Sequence, residues 1–155
     1  MENAPEPVHA LQAIVSEFFN FVIAHEPSLN RYFQQKSTTL HAERDNNRSV
    51  FFRPVGLEVL ARLYAHFSEK NKLTTLQFTL ESLNFDNPGG VFDGVLWNSG
   101  RIEASAKAKK AGVELCLYLL HQLTLPQEAG LTETLREVTK NPNYTLPPKQ
   151  AAPPN

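Results

Sequence analysis

Between Val8 and Ala24 the apolar residues Val8, Leu11, Ile14, Val15, Phe18, Phe19 and Val22 recur at intervals of three and four, the period of an α-helix. Pro7 suits the first turn of that helix. Pro27 stops it near His25, because a residue before proline avoids the helical region. A short second helix fits Leu29 to Gln35. Ser37 to Ser49 is polar and reads as a loop, with Asp45-Asn46-Asn47-Arg48 solvated. Ser49 to Arg53 is apolar and aromatic, but Pro54 prevents a ladder strand, so the stretch reads as an extended lead-in to a helix opening at Pro54. Val55, Val59, Leu60, Leu63, Tyr64 and Phe67 supply the buried stripe of that helix, which stops near Glu69-Lys70-Asn71.

Thr74 and Gln77 have the spacing of a capping box and place a further helix over Leu73 to Leu83. Asp86-Asn87-Pro88-Gly89-Gly90 is the densest turn signal, and Val91 to Asn98 after it reads as a short extended segment or strand. Glu103 to Leu123 is rich in Ala, Lys, Glu and Leu and apolar nearly all round in its second half, which predicts the buried central helix. A last short helix over Thr132 to Thr139 would be capped by Thr132. Beyond Asn141 five prolines and little to bury predict an extended or disordered tail. The expected fold is therefore mainly α: a compact bundle of about four to six helices with at most a short strand or hairpin. Residues 1–140 form one helical domain in this reading, and residues 141–155 the Pro-rich tail.

A chain of 155 residues, 41% hydrophobic and 20% charged, suits one globular domain and excludes a disordered polyelectrolyte or a collagen-like chain. The formal net charge of -1 gives no bulk attraction for nucleic acid, so any such contact needs a local patch. Cys116, the single cysteine, has no intramolecular disulfide partner and reads as a small core residue in a reducing compartment. Met1 to Pro7 carries two Glu and no basic residue, unlike a signal or transit peptide. Uninterrupted apolar runs fall well short of the roughly 18 residues that span a bilayer. The expectation is a cytoplasmic chain with no membrane contact.

The histidines at 9, 25, 41, 66 and 121 have no His or Cys partner at zinc-ligand spacing, so neither a metal site nor a cofactor is expected. His66 and His121 read as helix-edge residues with a satisfied ring nitrogen. No nucleophile elbow, phosphate loop or dinucleotide fingerprint occurs, and no catalytic residue is assigned. Asp86 and Asp93 read as turn-forming aspartates beside glycine, with an acid–base or metal pair as the alternative. Between Arg101 and Lys110 four basic residues stand against one acid. Arg101, Lys107, Lys109 and Lys110 are thus the DNA- or phosphate-binding candidates, with Arg101 beside the N–H groups of a helix start. The competing reading is a solvated helix face on which Glu103 pairs with Lys107.

Two short stretches carry a resemblance: Ser49-Val50-Phe51-Phe52-Arg53-Pro54-Val55-Gly56 continuing to Tyr64, and Gly94-Val95-Leu96-Trp97-Asn98-Ser99-Gly100-Arg101-Ile102. Together they resemble the C-terminal part of DGQHR-domain proteins, a group that includes the B protein of bacterial DNA sulfur-modification (phosphorothioation) clusters. The Phe52-Arg53-Pro54-Val55-Gly56 step matches that family's helix opening, and Leu96-Trp97-Asn98 matches its step after a variable loop. Phe52, Arg53, Pro54, Gly56, Trp97 and Asn98 are the motif residues. The family's β-rich domain with an Asp-Gly-Gln-His-Arg signature has no counterpart, because the only Asp-Gly here is Asp93-Gly94, followed by Val95-Leu96. The resemblance implies a free-standing or truncated C-terminal module: a non-catalytic regulatory or accessory part of a bacterial DNA-modification or defence system. Its partners would be other proteins of that system and the DNA backbone. Two alternatives stay open: an enzyme with a dispersed polar site at Arg53, Asp93, Asn98 and Arg101, or an inactive fragment of a larger protein.

Overall fold

The computed structural model describes residues 7–34 and 49–151. Among them are six α-helices: α1 (Pro7–His25), α2 (Pro27–Gln34), α3 (Pro54–Glu69), α4 (Leu73–Ser82), α5 (Ala106–Leu119) and α6 (Leu125–Thr139). A 3-10 turn over Val50–Phe52 leads into α3, and one hairpin joins β1 (Trp97–Asn98) to β2 (Arg101–Ile102). The mainly helical class with a single small hairpin is as the sequence predicts. Apart from Ser49, the polar loop predicted from Ser37 lies outside the described residues, as does Gln35.

The helix pairs α3–α4, α3–α5 and α5–α6 hold the centre, and α1 reaches it through α2, α3 and α4. Helix α5 is the buried spine: Ala108, Ala111, Gly112, Leu115, Cys116 and Leu119 are all inside. A Cβ built on Gly112 would lie 3.2 Å from Leu96 Cδ1, so this glycine lets the loop before β1 pack directly on the helix. Phe51, Phe85 and Phe92 meet at ring-centroid separations of 4.9 to 6.0 Å and join the α3 end of the core to the same loop.

Several boundaries differ from the sequence reading. Ser49 to Arg53 is a 3-10 turn, capped by Ser49, whose hydroxyl accepts from the Phe51 N–H at 3.2 Å. Thr74 and Gln77 make no capping box; α4 starts at Leu73 and Thr74 lies within its first turn. Helix α5 starts at Ala106, because Ser105 accepts from the Ala108 N–H and fixes the start there. Helix α6 starts at Leu125, not Thr132. Thr124 and Gln127 form the capping box, while the Thr132 hydroxyl donates back to the Glu128 carbonyl inside the helix.

The proline-rich segment is extended, and through Gln150 it is docked. Tyr118 Oη donates to the Pro147 carbonyl at 2.9 Å, and Gln150 N–H donates to the Leu119 carbonyl at 3.2 Å. A ring nitrogen of His121 lies 2.8 Å from the Gln150 carbonyl. Lys149 pairs with Glu128 and stands 5.0 Å from the centroid of the Tyr118 ring. His121 thus has its partner, as the sequence reading expects. His66 does not: its Nε2 is buried with no hydrogen bond among the described residues. Burial, then the neighbouring Lys70, holds its pKa below the usual 6.5.

Candidate functional site

Helix α1 is rich in apolar residues along its whole length but packed along only part of it. Val8, Leu11, Val15, Phe18 and Val22 follow one another at steps of three and four on one side, flanked by Ile14 and Phe19. His9, Ser16, Glu17 and Asn20 lie on the other side, and Gln12 stands at the edge beside Phe19. At the C-terminal end the apolar side meets the body of the protein. Val22 is fully buried, and the Phe18 and Phe21 rings stand edge-on to Tyr64 of α3 at 5.5 and 5.4 Å. His25 closes this end against Glu81 of α4 at 3.1 Å.

From Pro7 to Glu17 every residue is exposed. These eleven residues make about three turns, or roughly 16 Å of helix, beyond the body. Val8, Leu11 and Ile14 are 59%, 61% and 60% exposed, and Val15 and Phe19 follow at 43% and 40%. Single exposed apolar residues are ordinary, but a continuous stripe of this length marks an interaction surface. The stripe runs into a groove of about 140 Å³ between α1, α2 and α3, whose wall includes Phe19, Ile23, Tyr32, Phe33, Phe52 and Leu57. Phe33 on its rim is itself 59% exposed. Periodicity shows that α1 is a helix with an apolar side; that no described residue covers the N-terminal part of that side depends on tertiary packing and has no mark in the sequence. Length and composition alone would also let α1 span a bilayer, because they average over the whole helix where a count of uninterrupted apolar residues stops at Glu17 and Asn20.

The junction of α1 and α2 holds a buried carboxylate. Glu26 is 4% exposed and caps α2, accepting from the Ser28 hydroxyl and from the Leu29 N–H at 2.8 Å. Burial pushes its pKa above the usual 4.5, a shift opposed by these hydrogen bonds and reinforced by the charge of Asp86.

The three lysines do not all turn to one side of α5. Arg101 is exposed on β2, ahead of the Ser105 cap. Lys107 pairs with Glu137 of α6, while Lys109 reaches to the other side of α5 and pairs with Glu58 of α3 at 2.7 Å. Lys110 lies 3.7 Å from Glu114, one turn along. The expected Glu103–Lys107 pair is absent, since Glu103 precedes the helix and Lys107 turns to α6. Glu58 also accepts from Arg62 at 2.6 Å, and the Lys109 hydrogen bond leads the effects that hold its pKa low.

The motif residues build the fold. Pro54 opens α3, and Arg53 stands at its N-cap without a side-chain capping bond, while its carbonyl accepts from the Gly56 and Leu57 N–H groups. Phe51 is buried and Phe52 half-buried, stacked edge-on to Tyr32 at 5.7 Å. Gly56 lets the 3-10 turn fold back on α3. Trp97 and Asn98 form β1, and Asn98 faces Arg101 across a two-residue loop. Ser99 and Gly100 in that loop both have positive φ, as a type I′ turn requires.

Asp93 accepts from the Gly89 N–H at 2.8 Å, the turn role expected of it. Of Arg53, Asp93, Asn98 and Arg101, only Asp93 lines the cleft of about 460 Å³ beside the docked tail. Among the described residues no group of three or more His, Cys, Asp or Glu is placed to hold a metal ion. Comparison with known proteins finds no matching family, no similar curated protein and no similar solved structure.

Proposed function

We propose that this chain is a non-catalytic helical module that acts through protein contacts, in the bacterial DNA-modification or defence setting its resemblance to DGQHR-domain proteins implies. The observation that supports the contact role is the apolar side of α1 over Pro7 to Glu17, exposed among the described residues. Such a surface costs solubility unless something covers it. The setting rests on the two short motifs alone, whose residues act here as fold determinants.

The reading is tested by affinity capture from cells that carry the gene, using the wild-type chain and a Leu11→Glu/Val15→Glu variant. Both positions are exposed, so the variant is expected to keep its circular dichroism and melting temperature. A protein retained by the wild type and lost with the variant is the expected outcome. Equal retention of every protein by both would overturn the contact role of this face. The dispersed-site enzyme has weaker support, because only Asp93 of its four residues lines the cleft beside the docked tail.

A further inference from the structure

We infer that the surface holding the C-terminal segment is a peptide-binding groove: it takes an extended Pro-Pro-Lys segment of a partner protein, and the chain's own residues 144–150 occupy it in cis. None of the groups that hold this segment belongs to α1, so the groove is a contact surface separate from the one proposed above.

The hold is on the backbone. Arg136 Nε donates to the Tyr144 carbonyl at 3.3 Å and Tyr118 Oη to the Pro147 carbonyl at 2.9 Å. His121 Nε2 meets the Gln150 carbonyl at 2.8 Å, where only a donor fits. The three carbonyls are three residues apart, the repeat of a polyproline II strand, so one side of such a strand faces one row of donors. Prolines suit this arrangement, because Pro147 and Pro148 have no N–H that the groove would have to satisfy. Tyr144 and Leu146 rest against the core, yet no residue from 144 to 151 is buried. A site that reads backbone in this way accepts other segments of the same shape.

One side chain supplies the selectivity. The Lys149 ammonium pairs with the Glu128 carboxylate and stands 5.0 Å from the centroid of the Tyr118 ring. The Glu128 side chain is only 16% exposed, so a ligand that leaves it unpaired loses the contact and strands a half-buried charge. The segment that fits therefore carries Lys or Arg directly after its proline pair.

Exchange of the segment leaves the core intact. Asn141, Pro142 and Asn143, which join it to α6, are exposed, as expected of a part that opens locally. A cleft of about 460 Å³ lies beside it, lined by Leu115 and Leu119 and by Pro147 and Pro148. An incoming segment with larger apolar side chains at these positions gains contacts that the chain's own tail does not make. A second copy's tail has the same sequence without the tether, and it loses to the chain's own tail, whose effective concentration is about millimolar. The occupant in trans is therefore a different chain.

The experiment is fluorescence anisotropy of a labelled peptide with the sequence of residues 143–151, titrated with the full chain and its variants. Lys149→Glu in the chain loosens its own tail and leaves Glu128 and the three donors in place. The peptide is expected to bind this variant at least about fivefold more tightly than the wild type, because apparent affinity scales with the fraction of chains whose groove is open. Faster amide exchange at Gln150, whose N–H the Leu119 carbonyl holds, reports the opening. Adding Tyr118→Phe to the variant, or replacing the peptide's lysine with glutamate, should abolish the gain with an unchanged circular dichroism spectrum. No binding to the Lys149→Glu chain up to about 1 mM, or equal binding of the two peptides, would overturn the inference. So would a Gln150 amide as protected in Lys149→Glu as in the wild type, since the tail would then be a fixed part of the fold. Dimers of the wild-type chain that Tyr118→Phe abolishes would give the groove to a second copy's tail, and the partner would fall.

Discussion

Gly56 lies so close under the 3-10 turn that a Cβ built on it would overlap the carbonyl of Val50 and come within 2.9 Å of the Phe51 nitrogen. Both neighbours are backbone atoms of a turn whose Val50 and Phe51 side chains are buried, so neither can give way cheaply. Gly56→Ala is expected to destabilise the protein by about 3 kcal/mol, the range of overpacked core substitutions. Gly130 is the control, exposed inside α6 with nothing within 4 Å of its would-be Cβ. Gly130→Ala is expected to stabilise by about 0.5–1 kcal/mol through helix propensity. Urea denaturation of both variants checks the pair. A Gly56→Ala protein as stable as the wild type would remove the steric account of the Phe-Arg-Pro-x-Gly step.

How far the sequence could be read depends on the range of the interaction that decides each feature. Period alone places α1 and α3, and Pro54 fixes the start of α3 because it has no N–H to lose there. A cap depends on a reciprocal partner as well as on the right residue type, and the reading of Thr132 overlooks this. Thr132 has the right chemistry for a cap, but Thr124 followed by Pro126 and Gln127 has both the chemistry and the reciprocal partner, and it sets the start of α6. The docked tail left little signal of its own, because Pro147 and Gln150 are held through backbone groups, and the pairing of Lys149 with Glu128 and Tyr118 joins residues far apart in the chain. The order of residues between Arg101 and Lys110 does not tell which way each lysine turns. Two residues along a helix is about 200° around it, and that rotation sends Lys107 to α6 and Lys109 to α3.

Glu26 links the α1–α2 junction to pH. Its pKa is raised above 4.5 in the folded protein, so the folded state holds this proton more tightly than the unfolded chain does. The sign follows: this group's contribution to stability is greatest below pH 4.5 and is lost as pH rises from there through the folded value. Glu26→Gln keeps an acceptor for Ser28 and Leu29 but cannot ionise. Melting temperatures of the variant and the wild type, measured between acid and neutral pH, are expected to shift in the variant's favour as pH rises. A difference that stays constant with pH would show that burial does not raise this pKa.

Cys116 is enclosed in α5, and burial pushes its thiol up to about 12. At neutral pH almost no thiolate forms, and a reagent reaches the sulfur only when the helix opens. Labelling by a disulfide reagent is expected to be slow in the native state and fast in denaturant. Its native rate should rise in Gly56→Ala, as global stability falls. Rapid native labelling would place the sulfur at the surface and contradict the packing of α5.

Contact with DNA would have to break the ion pairs that now hold the lysines. Lys107, Lys109 and Lys110 each face a glutamate, and Lys107 and Lys109 lie on different sides of α5. Arg101 is the one candidate without an ion pair among the described residues, and a single phosphate contact gives a slope of about -0.9 for log affinity against log salt on duplex DNA. Four simultaneous contacts would give about -3.6. Fluorescence anisotropy with a labelled duplex at several salt concentrations separates the two. The expected result is weak binding at low salt with the shallow slope, abolished by Arg101→Ala and little changed by replacing the three lysines. A slope near -3.6 that flattens by about one unit with each lysine removed would mean that phosphates displace Glu137, Glu58 and Glu114 from their partners. The basic run would then be a nucleic-acid surface that forms only when DNA is present.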